Sequence, residues 1–129
     1  MTQQIKTIAM VSGEASGDLL GSQLMEALKR EMPNVRFIGI GGPKMQSAGM
    51  QVLFPMEKLA VRGYVEVLRH YREIVGIRSK LRAQLIAQPP DLFIGVDAPD
   101  FNLDLELALK RRGIPTIHYV SPSICACRR

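Results

Sequence analysis

The sequence contains no tryptophan, two cysteines, two histidines and only 5% aromatic residues in 129. So few aromatics weigh against a nucleic-acid surface built on base stacking. Cys125 and Cys127 are one residue apart, a spacing that rarely meets disulfide geometry. There is no second cysteine pair, and His118 is the only histidine near them in sequence, so a zinc site is not completed. No structural disulfide, metal or cofactor is expected. No apolar run approaches the ~20 residues of a membrane-spanning helix. The start, Met1-Thr-Gln-Gln-Ile-Lys6, lacks the basic-then-apolar layout of a secretory signal, which points to the cytoplasm. There is no internal repeat, no low-complexity segment, no G-x-G-x-x-G and no G-x-x-x-x-G-K-[ST]. A dinucleotide or P-loop site therefore has no support.

Hydrophobic residues make up 47% and charged residues 22%, the balance of a globular domain. Seventeen basic against 12 acidic residues give +5, which favours anionic partners such as phosphorylated substrates or a membrane surface. Short apolar runs at Ile5 to Val11, Val35 to Ile40, Asp91 to Val96 and Ile114 to Val120 predict buried strands, with a brief strand near Gln51 to Phe54. Helical spacing of leucine and alanine runs from Leu19 to about Glu31, with Ser16 as N-cap and Asp18 in the first turn. Further helices are predicted around Lys44 to Ala48, over Gly63 to Ala87 and from Asn102 to Arg112. Continuous apolar strands alternating with helices predict an α/β fold. It would be a three-layer Rossmann-like α/β/α arrangement of about five mostly parallel strands, those ending at Val11 and Val96 near the centre.

Open parallel sheets bind ligands beyond the carboxyl ends of their strands. Three segments fall at that edge. Gly13-Glu-Ala-Ser-Gly-Asp18 combines glycines with a helix start, which can receive an anion or simply form a well-capped turn. Gly39-Ile-Gly-Gly-Pro-Lys44 is a glycine-rich turn whose lysine could meet a phosphate. Gly95-Val-Asp-Ala-Pro-Asp-Phe-Asn102 brings Asp97 to the end of an apolar strand. Partial desolvation there raises a carboxyl pKa and suits a general base. Asp100 or Asn102 would cap the following helix.

The long helix over Gly63 to Ala87 carries an apolar stripe of Val67, Leu68, Tyr71, Ile74, Val75, Leu81 and Leu85. Arg69, Arg72 and Lys80 lie on another side. Arg62 to Arg82 holds six basic and two acidic residues. Such a face is either solvated or in contact with anionic lipid head groups.

Taken together, SGEASGDLLGSQLMEALK, FIGIGGPKMQSAGM, LFPMEKLAVRGYVEVL, PDLFIGVDAPDFN and GIPTIHYVSPS resemble the lipid-A-disaccharide synthase family, in order and from Ile8 to Ser123. The resemblance implies the N-terminal half of a GT-B glycosyltransferase. The family joins UDP-2,3-diacylglucosamine to 2,3-diacylglucosamine 1-phosphate in a β-1,6 linkage with release of UDP, at the cytoplasmic face of the inner membrane. Asp97 would deprotonate the acceptor 6-hydroxyl. Gly13, Glu14, Ser16, Gly17, Asp18, Asp100 and Asn102 would bind substrate. Arg69, Arg72 and Lys80 would contact the anionic membrane. Residues 1–129 would form a single, incomplete acceptor-side domain without the UDP-donor half, inactive by itself. A non-catalytic membrane-associated module is the alternative. One departure is local: Ser121-Pro-Ser-Ile-Cys-Ala-Cys-Arg128 carries cysteines where the family has tryptophans.

Overall fold

The computed structural model of the protein describes residues 5–56, 64–96 and 99–119, with 64–71 and 99–101 in backbone only. Five strands and four helices alternate: β1 (Thr7–Ser12), α1 (Ala15–Glu31), β2 (Arg36–Gly41), α2 (Pro43–Ser47), β3 (Gln51–Pro55), α3 (Tyr64–Ala87), β4 (Leu92–Val96), α4 (Pro99–Arg111) and β5 (Thr116–Tyr119). The sheet order is β3-β2-β1-β4-β5, and every pairing is parallel. β1 and β4 sit at and beside the centre, as the apolar runs predict.

Both faces of β1 are buried, so its side chains divide by parity between two cores. Ile8 and Met10 join Met25, Phe37, Met45, Ala48, Met50, Ile94 and Val96 beneath α1 and α2. Ala9 and Val11 join Ile40, Phe93 and Ile114 with Ile77, Leu81 and Leu85 of α3 and Leu105 and Leu109 of α4. The first layer is rich in methionine, whose flexible thioether fills irregular gaps. The second is built from branched and aromatic side chains.

Strand β2 carries a local irregularity: its register to β3 shifts between Gly39 and Ile40. Gly39 has φ +137°, and a Cβ there would lie 2.0 Å from the carbonyl oxygen of Met10. Only glycine meets both conditions.

Helix ends differ from the predicted ones. α1 opens one turn ahead of Leu19, with Glu14 as N-cap in extended conformation and no side-chain cap. Ser16 is thus inside the helix. α4 begins at Pro99, which suits the first helical position because proline has no N–H to leave unsatisfied. Asp100 and Asn102 therefore belong to its first turn and do not cap it.

The strand-end crevice and its side chains

The chain leaves β1 for α1 on one face of the sheet and leaves β4 for α4 on the other. These strands are neighbours, and Ser12 is in register with Val96 at their carboxyl ends. Here the strand order reverses, the position at which an open α/β sheet usually leaves a crevice for its ligand. Gly13, Glu14 and the start of α1 form one lip. The first turn of α4 lies on the other side. The first N–H groups of a helix lack intrahelical acceptors, which gives the α1 end a polarity suited to an anion.

The glycine-rich segment divides into exposed and buried parts. Glu14 and Ser16 are exposed, whereas Gly13, Gly17 and Asp18 are buried. Asp18 is 3% exposed and accepts three backbone N–H bonds. Gly42 and Met45 donate to Oδ1 at 3.0 and 2.9 Å, and Lys44 donates to Oδ2 at 3.0 Å. Its carboxylate thus sits on the start of α2 and ties α1 to the β2–α2 turn. The far end of α2 is held by Lys29 of α1, whose Nζ donates to the Ala48 carbonyl at 2.8 Å. An acid at the helix start and a base at its end match the helix dipole. The Lys44 side chain points outward, as its exposure shows.

Across the crevice, Asn102 is fully buried, and its Nδ2 donates to the Val11 carbonyl at 3.4 Å. It links the first turn of α4 to the end of β1, beneath the crevice. Asp97 follows Val96 in sequence and lies outside the described residues, as does the side chain of Asp100. Arg72 and Lys80 are exposed on α3; the Arg69 side chain is outside the description. In the apolar stripe, Leu81 and Leu85 are buried as expected, with Ile77 as a further buried member. Among the described residues, no helix is long and apolar enough to cross a membrane.

One polar pair was not legible in the sequence. His118 Nδ1 lies 3.1 Å from Glu106 Oε2, with side chains 34% and 13% exposed. Glu106 packs against Gly95, where a Cβ would come 2.5 Å from Oε2. Gly95 and His118 are in register on β4 and β5. The available signal was the four-residue step from Asn102 to Glu106, which sets both on the sheet-facing side of α4. Ser12 is likewise buried at the end of β1, its hydroxyl 3.3 Å from Met56 Sδ.

Two solved glycosyltransferases share this fold. The glycotransferase of kitacinnamycin superposes with TM-score 0.65 at 19% identity, covering 92% of this chain and 31% of that one. CalG4, the calicheamicin glycosyltransferase, gives TM-score 0.54 at 20% identity over the same shares. Sequence relatives are much nearer. The lipid-A-disaccharide synthase of Dechloromonas aromatica is 63% identical over 121 residues, 94% of this chain and 32% of that protein. That of Methylobacillus flagellatus is 59% identical over 123 residues, 95% and 32% respectively. That of Pseudomonas syringae pv. tomato is 58% identical over 129 residues, the whole of this chain and 34% of the relative. The chain thus spans about a third of the length of the curated relatives it matches. The model of the family described as lipid-A-disaccharide synthetase matches residues 8–129, nearly the whole sequence, and by that match the chain belongs to this family.

Proposed function

We propose that this sequence forms the acceptor-side part of a glycosyltransferase of lipid A synthesis. The acceptor is a diacylglucosamine 1-phosphate and the donor a UDP-diacylglucosamine. The products are the β-1,6-linked disaccharide and UDP. The observation that carries this reading is the family match from residue 8 to 129, whose span includes the strand-end segment with Asp97. A hydroxyl is a poor nucleophile until a positioned base takes its proton. In this reading the base is Asp97, next in sequence to Val96, which ends β4 beside β1. Glu14 and Ser16, exposed at the start of α1, are the substrate contacts best supported by position. Gly13 and Gly17 shape that turn, Asp18 and Asn102 hold the two lips, and Asp100 opens α4.

Transfer requires the donor carbon within about 3–3.5 Å of the acceptor oxygen. The activity is accordingly assigned to this sequence together with the remaining length that its relatives possess. The test is made in an intact family member at the position matching Asp97. Asp97→Asn should lower kcat by about 10²–10⁴ with the fold unchanged. Near-normal turnover, with loss on His118→Gln instead, would assign the base to the histidine.

The second part of the proposal is peripheral attachment to the cytoplasmic face of the inner membrane through α3. It is supported by the exposure of Arg72 and Lys80 and by substrates that carry acyl chains. Replacing Arg69, Arg72 and Lys80 with Glu should release the protein from anionic vesicles, each charge contributing on the order of 1 kcal/mol. Unchanged vesicle binding would count against it.

A further inference from the structure

A second polar site lies away from the crevice, on the outer surface between α3 and α4. A cavity of about 260 Å³ is lined by Arg78, Ser79 and Arg82 of α3 and by Asp104, Leu107 and Arg111 of α4, among others. Arg78 is held by Asp104, with Nη2 3.2 Å from Oδ2. Among the described residues, neither Arg82 nor Arg111 has a carboxylate within ion-pair distance. Three guanidinium groups against one carboxylate leave the cavity at +2, the charge that a phosphate dianion neutralises. The fork of N–H groups on arginine matches phosphate oxygens in a way that a lysine does not. Leu107 borders the cavity, and it and Leu103 are 49% and 58% exposed on α4. The site therefore offers cations with apolar surface beside them.

We propose that this groove binds a phosphate group, with Arg82 and Arg111 as its direct ligands and Arg78, fixed by Asp104, as the wall behind them. The phosphate comes either from a free phosphate or phosphomonoester or from the head group of an anionic phospholipid whose chains lie along Leu103 and Leu107. The site is separate from glycosyl transfer and from the outward face of α3. Around that helix, Arg78 and Arg82 flank the buried Ile77, Leu81 and Leu85 on the α4 side. At about 100° per residue Lys80 is turned roughly opposite to both, and Arg72 lies six and ten residues nearer the helix start, about 9 and 15 Å along the axis.

The test uses the 129-residue protein, with inorganic phosphate and phosphatidylglycerol vesicles as probes and phosphatidylcholine vesicles as the neutral control. The paired variant Arg82→Gln/Arg111→Gln is compared with Arg72→Gln/Lys80→Gln, and unchanged thermal melts verify the fold of each. Binding of inorganic phosphate, followed by chemical shifts of the arginine Nε–H groups, should weaken about tenfold or more in the first variant and stay unchanged in the second. That result assigns a free-anion site. Binding only to phosphatidylglycerol vesicles, with the same dependence on Arg82 and Arg111, assigns a lipid head-group site. Absence of binding to either probe would overturn the proposal. So would phosphate binding that is insensitive to Arg82 and Arg111, or vesicle binding without phosphate binding that depends on Arg72 and Lys80 alone.

Discussion

Asp18 and Asp91 do the same chemistry at opposite edges of one sheet, under different conditions. Asp18, at the carboxyl edge, is buried and accepts three backbone N–H bonds from the β2–α2 turn. Asp91, at the amino edge, is exposed, and its Oδ2 accepts from the N–H groups of Lys6 and Thr7 at 2.8 and 3.0 Å. Each clamps two segments distant in sequence. Removing Asp18 would leave donors without solvent to replace it; removing Asp91 would leave donors that water reaches. The worth of such a clamp follows from what replaces it, more than from its bond lengths.

The largest break should come from Asp18→Ala. It strips three N–H groups, two of them in buried bonds, at roughly 1–3 kcal/mol per unsatisfied buried group. A total of roughly 3–5 kcal/mol is a large part of the ~5–15 kcal/mol that holds a domain together. Urea unfolding should show it as a fall in midpoint with an unchanged slope. Asp18→Asn keeps one acceptor oxygen and should recover about half of that loss.

A subtler break leaves Asp18 in place and disturbs its seat. A Cβ at Gly42 would lie 2.6 Å from Asp18 Oδ2, and three hydrogen bonds keep that carboxylate from swinging away. Gly42→Ala should cost about 1–3 kcal/mol through overpacking. In the Asp18→Ala background the same substitution should cost much less. Additive losses in this double-mutant cycle would show that the two positions are not coupled.

The smallest effect belongs to Asp91. Its carboxyl is held below the usual carboxylate range, first by the Lys6 N–H bond and then by that of Thr7. A folded-state pKa below the unfolded one contributes stability above the unfolded value, near 3.9, and loses it as pH falls through the folded value. Asp91→Asn should therefore cost at most about 1 kcal/mol at neutral pH, since the site is solvent-screened. The gap to the parent should narrow as pH falls below the unfolded value and close once the folded carboxyl is protonated. A gap that persists in acid would mean that shape, and not charge, carries the clamp.

The alternation of apolar runs with helical spacing made the sheet, its parallel sense and its central strands legible in the sequence, because burial on both faces demands continuous apolar strands. The positions of Glu14 and Ser16 at the crevice were legible for a similar reason: a turn after a buried strand must come out at the sheet edge. Asp18 was legible as a polar residue in a first turn, but its partners were not. They lie 24 to 27 residues further on, and nothing local signals a carboxylate that faces a different helix. Asn102 looked like a cap because asparagine often is one; Pro99 moved the helix start ahead of it and turned the side chain towards Val11. The Glu106–His118 pair joins α4 to β5 across a glycine, a juxtaposition that exists only after the sheet has formed.

The register of β1 has a consequence for how the protein is made. Its first neighbour, β2, follows within one helix, but on the other side Thr7 meets Asp91, 84 residues later. At ~5–20 residues per second of synthesis, one edge of this apolar strand waits several seconds for its partner to leave the ribosome. During that interval Ile8 to Val11 presents unpaired backbone groups to any other strand nearby. The most central strand of the finished sheet is thus the most vulnerable one in the nascent chain, and yield at high expression should depend on chaperones that shield it.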